Sequence, residues 1–123
     1  MFISAIHHIQ LAMPKGGEDA ARAFYGGLLG LSEAPKPPIL ATRGGVWFEK
    51  GNVRVHLGVE QDFRPARKSH PAFQVQGVTD LLAHLAAKGV AVTHDDNLPG
   101  FTRGYVNDPF GNRIELLEPV PAG

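Results

Sequence analysis

The chain of 123 residues contains no cysteine, which excludes disulfides, thiolate nucleophiles and cysteine-ligated metals. It has no surplus charge either: 12 Lys and Arg offset 12 Asp and Glu, for a formal net charge of zero. Without a basic excess it is not built to hold nucleic acid by bulk charge, nor to coat an acidic membrane surface. No apolar run approaches the roughly 20 residues that span a bilayer. Residues 1–13 lack the basic start and small-residue cleavage site of a secretory signal. These absences lead us to expect a soluble, cytoplasmic protein with neither nucleic acid nor membrane as a partner. What is present is ordinary for a globular chain, 43% hydrophobic and 20% charged residues, apart from six histidines. Its length suits a single domain, 1–123.

Two segments carry a helical period. Ala21, Phe24, Tyr25, Leu28 and Leu29 form one apolar stripe, with Glu18 and Asp19 at the positive end and Gly30 as the stop. Gly26 and Gly27 lie inside it, each costing about 1 kcal/mol relative to alanine. Val78, Leu81, Leu82 and Leu85 repeat the spacing, with Thr79 or Asp80 as the expected cap and Gly89 as the end. The stretches 3–13, 46–49, 53–60, 71–75, 91–93, 104–106 and 113–117 read as strands. Turns are expected at 49–52 and 108–112, and the Pro-rich 35–38 stretch reads as a loop.

This order, strand, helix, strands, occurs twice. Setting His8 over His70 pairs Leu11 with Phe73, Gly30-Leu31 with Gly89-Val90, and 54–57 with 113–116. Two βαβββ modules, about 1–61 and 62–123, are the simplest account. Each half alone would be marginal by size, so the halves are expected to share a core or exchange one with a second chain.

Strand alternation then sorts the polar residues. His8 and Gln10 share a face opposite Ile9, Leu11 and Met13. Arg54, His56 and Gly58 lie opposite the odd-numbered Val and Leu, and Arg113 and Glu115 lie opposite Ile114 and Leu116. The repeat relates His8 to His70 and His56 to Glu115. If the polar faces turn inward, these four side chains form an imidazole and carboxylate donor set. Such a set suits one divalent first-row ion (Fe, Mn, Ni, Co or Zn) with positions left open for substrate. His84 and His94 read as ordinary solvated residues, and His7 as a local packing residue. Arg54 and Arg113 share faces with the donors, Arg103 and Tyr105 lie on the strand before the last, and each is a candidate to hold a substrate oxygen, or simply part of a solvated strand face. Trp47 and Phe48 alternate, so one of them faces inward; Trp47 is a candidate to stack on a substrate ring, with a core aromatic as the other reading.

The segments Ile6–Ala12, Arg22–Tyr25 with Leu28–Leu31, Ser69–Phe73 and above all Asp108–Leu116 resemble those of the vicinal oxygen chelate superfamily. That superfamily includes glyoxalase I, extradiol dioxygenases, fosfomycin-resistance enzymes and bleomycin-binding proteins. The resemblance implies an α+β fold of two tandem βαβββ modules forming a cupped, eight-stranded open barrel-like sheet around a metal, in a homodimer. It implies His8, His56, His70 and Glu115 as metal ligands and a small-molecule substrate chelated through vicinal oxygens, with Glu115 and His56 in the chemistry. The activity expected is that of a lyase or isomerase, or a dioxygenase. A histidine at 56, where glyoxalase I has glutamate, departs from that enzyme's pattern, whereas His8, His70 and Glu115 match the dioxygenase triad. The alternative is a non-catalytic small-molecule binding or resistance protein of the same fold.

Overall fold

A computed structural model describes residues 2–121, and the chain divides into two compact units, Met1–Pro65 and Ala66–Gly123.

Module one contains β1 (Ile9–Met13), α1 (Glu18–Ala21), β2 (Ser32–Ala34), α2 (Pro38–Ala41), β3 (Val46–Lys50) and β4 (Val53–Val59). The sheet order is β1-β4-β3-β2, with β1 parallel to β4 and the other neighbours antiparallel. Alternation buries Leu11 and Met13 from β1, Val46 and Phe48 from β3, and Val55 and Leu57 from β4. The helix covers that face with Ala21, Phe24 and Tyr25, and the Tyr25 and Phe48 rings meet at 5.7 Å. Helix α1 does not continue as an α-helix. Residues Arg22–Leu28 widen into π-helix, and the Leu29 N–H donates to the Phe24 carbonyl five residues back. Gly26 and Gly27 lie in the widened turns, where the absence of side chains keeps the backbone adaptable.

Three details differ from the sequence expectation. Residues 2–8 carry no strand, so β1 begins at Ile9, and Phe2, Ile3 and Ile6 are exposed. Strand β2 went unnoticed because it is three residues long at a sheet edge. The Pro-rich loop holds the short helix α2, started by Pro38 with its pre-set φ. The 49–52 hairpin is as expected: Lys50 pairs with Val53 across Gly51-Asn52, and Gly51 has φ +58°.

Module two contains β5 (Ala72–Gln74), α3 (Val78–Ala87), β6 (Val92–Asp95), β7 (Phe101–Asn107) and β8 (Arg113–Pro119). The order β5-β8-β7-β6, with β5 parallel to β8, repeats that of module one. The α+β architecture of paired βαβββ modules is therefore present, its eight strands lying in two four-stranded mixed sheets. Val78, Leu82 and Leu85 of α3 and Val106, Ile114 and Leu116 of the sheet are buried. Gly104 admits the Leu82 side chain, which would stand 2.8 Å from any Cβ there. Neither Thr79 nor Asp80 caps α3. The N-cap is Gly77, at φ +77°, and the Glu118 carboxylate accepts the Gly77 and Val78 N–H groups at 2.9 and 3.0 Å. Those two bonds hold its carboxyl below the usual range. A cap 40 residues away is invisible to local sequence pattern.

Gly45, at φ +84°, marks the tightest backbone approach, because a Cβ there would collide with the Leu57 carbonyl oxygen. Gly45→Ala combines left-handed strain with this clash. It is expected to lower stability by about 2 kcal/mol or more, read as a fall in the urea midpoint with unchanged slope.

Candidate functional site

Module two gathers its polar residues around Glu115. The carboxylate lies on β8 opposite Tyr105 of β7 and Ala72 of β5. It is only 6% exposed, so both oxygens need partners. One stands 2.9 Å from His70 Nε2, and the other accepts from the Arg103 guanidinium at 3.1 Å. Burial pushes the Glu115 carboxyl up, but the His70 and Arg103 contacts outweigh it and hold its pKa below the usual carboxylate range. Arg103 also donates to Asp95, its cross-strand neighbour on β6, at 3.0 and 3.1 Å. Arg113 lies over the Tyr105 ring, 3.8 Å from its centroid, and the His70 ring meets the same tyrosine edge-on. The β7–β8 connection is built by Asp108, whose carboxylate accepts from the Phe110 and Asn112 N–H groups and the Asn112 amide. Asn112 in turn accepts from Ala66 N–H, and Arg113 N–H donates to the Ala66 carbonyl. This turn fixes where β8 starts, and therefore which face Glu115 takes.

The second ring nitrogen of His70, Nδ1, lies 2.9 Å from the Lys68 carbonyl. A carbonyl only accepts, so Nδ1 carries a proton. A neutral ring then offers only a lone pair at Nε2, directed at a carboxylate oxygen 2.9 Å away. Two lone pairs at that distance repel unless positive charge stands with them, either a second ring proton or a metal ion. Adjacent ligands of a six-coordinate first-row ion, each about 2.1 Å from it, lie about 3.0 Å apart. The carbonyl anchor on Nδ1 is also the usual support of a metal-bound imidazole. His70 and Glu115 therefore fit a divalent ion in chemistry and in spacing.

Module one places its histidines differently. His56 on β4 pairs in register with Trp47 on β3 and Gln10 on β1. Its ring lies flat between two others: Trp47 at 3.9 Å and 4°, and His8 at 4.2 Å and 20°. Imidazole lone pairs lie in the ring plane, so stacked His8 and His56 do not aim their nitrogens at one point. Among the described residues, no group of three or more His, Asp or Glu gathers as a metal site. His56 is nearly buried, and burial first, then the neighbouring His8, His7 and Lys36, lower its pKa below the ordinary value. It is thus a neutral, proton-accepting imidazole at neutral pH. Arg54, on the same face, donates to the His7 carbonyl at 3.1 Å and ties the segment before β1 to β4. The Trp47 alternative resolves by register, since Phe48 is buried in the core and Trp47 carries the stack. His84 and His94 are exposed, on α3 and β6. Asp95 escaped the sequence reading, although its cross-strand position opposite Arg103 would have exposed it once the β6–β7 register was known.

With this geometry in hand, the class is plain. The chain belongs to the Glyoxalase/Bleomycin resistance protein/Dioxygenase superfamily, whose family model matches residues 5–116. A glyoxalase family protein from Bacillus anthracis is 48% identical, each chain covered to 98%, with a TM-score of 0.94. Lactoylglutathione lyase from Agrobacterium tumefaciens is 26% identical over 96% of each chain, with a TM-score of 0.75. An antibiotic binding protein from a Streptomyces species is 22% identical over 98% of this chain and 99% of its own, with a TM-score of 0.75, a likeness of fold. No curated protein sequence matches significantly. Among the described residues, no helix is long and apolar enough to cross a membrane.

The lowered pKa of His56 has a defined consequence for stability. Between its folded value and the ordinary one near 6.5, the unfolded chain binds a proton that the folded chain does not. The stability His56 allows is therefore complete above about pH 6.5 and lost progressively as pH falls below it. In chelator-treated protein, the urea midpoint should drop between pH 7.5 and 5.5, and H56Q should flatten that drop. An identical slope in wild type and H56Q would assign the pH dependence to other groups.

Proposed function

We propose that this chain is a divalent-metal enzyme of the glyoxalase and extradiol dioxygenase type, acting on a small substrate chelated through two adjacent oxygens. The observation that carries the reading is the pairing of His70 Nε2 with Glu115 at 2.9 Å, with Nδ1 anchored on the Lys68 carbonyl. His70 and Glu115 are the ion's ligands. When bound, the ion draws negative charge onto substrate oxygens and so stabilises a developing enolate or catecholate.

The remaining roles belong to the protein's own side chains. Arg103 and Asp95 orient Glu115, leaving its His70-facing oxygen as the ligating atom. His56, buried and neutral, is the proton acceptor of the reaction, a task its stacking favours over direct ligation. Arg113 and Tyr105 present a cation and a phenol beside Glu115 for a substrate oxygen, while Arg54 acts locally by holding the His7 carbonyl. The ion decides between proton transfer and oxygen insertion. Exposed Phe2, Ile3 and Ile6 favour a homodimer that covers them.

A second reading, a non-catalytic small-molecule binding or resistance protein, is favoured by the Trp47–His56–His8 stack, a flat platform of the kind that receives a planar drug. A protein of the same fold is described as an antibiotic binding protein. Metal analysis of anaerobically purified protein separates the two. The enzyme reading expects close to one divalent ion per chain, with H70A and E115A each losing at least about tenfold in affinity. Equal metal content in wild type and both variants would sink it. Oxygen uptake with catechols by the iron-loaded protein then distinguishes dioxygenase from isomerase chemistry.

A further inference from the structure

We propose that the cavity beneath residues 36–44 of module one is a binding site for the anionic head of a small planar ligand, held by Lys36 and Arg43. This deepens the reading above by giving the substrate a negative charge, and it stands on residues separate from the metal ligands.

The cavity has a volume of about 360 Å³, within the roughly 300–1,000 Å³ of small-molecule sites. Lys36 and Arg43 are its charged lining residues, and no carboxylate lines it. Surface cations are normally interspersed with acids, so two cations around one concavity without an acid leave a positive site for an anion. The Lys36 ammonium is held at the wall by a hydrogen bond to the Gly44 carbonyl, which leaves two of its three N–H donors for a ligand. Arg43 is exposed, and its guanidinium has no hydrogen-bond or ion-pair partner among the described residues. Its planar fork therefore remains free for a carboxylate or phosphate. Glu18 of α1 stays outside the lining, its carboxylate accepting the Gly45 N–H at 2.8 Å.

The rest of the lining selects for more than charge. The Gln10 side chain supplies a neutral amide, and Gly58 leaves room for it, since a Cβ at 58 would stand 2.6 Å from Gln10 Nε2. Trp47, Leu40 and Val59 make the apolar walls. A bare inorganic anion would leave those walls wet, whereas an aromatic or conjugated acid covers them and places its charge at the cationic end.

The chain's single tryptophan lines the cavity, so Trp47 fluorescence reports occupancy directly. The probes are 4-nitrobenzoate and its neutral counterpart 4-nitrobenzamide, titrated into chelator-treated protein. Nitrobenzoate should quench Trp47 saturably, with a dissociation constant about fivefold or more below that of the amide. R43Q should reduce this preference to less than about twofold, and K36M should do the same. Because Lys36 also braces the Gly44 turn, R43Q is the deciding variant should K36M fold poorly. Equal binding of the two probes, no saturable quenching, or an undiminished preference in R43Q would each overturn the proposal. With metal absent throughout, failure here is independent of the metal-content result for H70A and E115A.

Discussion

A slip of one residue in the register of β8 would carry Glu115 into the apolar layer and turn Ile114 and Leu116 out of it. A buried carboxylate without partners is so costly that this register is strongly enforced. It is fixed from both ends. The Asp108–Asn112 turn sets where β8 begins, and the Glu118 carboxylate at its far end caps α3. Between these points the strand pairs with β5 on one side and β7 on the other, and its position dictates that Glu115 meets both His70 and Arg103. The same strand thus completes the module's core and aims its carboxylate.

Module one uses the same sheet order with a different filling. Its central strand carries His56 where β8 carries Glu115, and the partners change accordingly, from an ion-pair network to an aromatic stack. A carboxylate on a buried face needs cations, whereas an imidazole also has two ring faces that flat neighbours can cover. Burial then acts in opposite ways on the two groups. It favours neutral His56, whereas in Glu115 the His70 and Arg103 contacts override it and keep the carboxyl ionised. Two related positions in a repeat have become a candidate base and a candidate ligand.

Much of this was legible in advance. The repeat with its pairing of His8 with His70 and His56 with Glu115, the buried faces of β4 and β8, and both hairpin turns followed from periodicity and turn chemistry. Three of the misses share one cause, dependence on residues brought together only by the fold. The α3 cap comes from Glu118, the partner of Arg103 comes from Asp95, and the positive cavity needs Lys36 and Arg43 to meet Gln10 and Gly58 from other strands. The π-helical turns after α1 escaped because Gly26 and Gly27 signal weakness in a helix without saying how the backbone will yield.

Sequence by itself determined the architecture and the family, because alternation, helical period and the internal repeat are local patterns that survive without coordinates. It also determined which side chains of each strand share a face. Only the tertiary structure decided what those side chains do to one another. His70 and Glu115 lie 45 residues apart and meet at 2.9 Å, whereas His8 and His56 lie 48 apart and stack instead of converging. Strand pairing brings such residues to the same place, but the rotamer each adopts answers to burial and to the charge of its neighbours. That balance exists only once the sheet has formed.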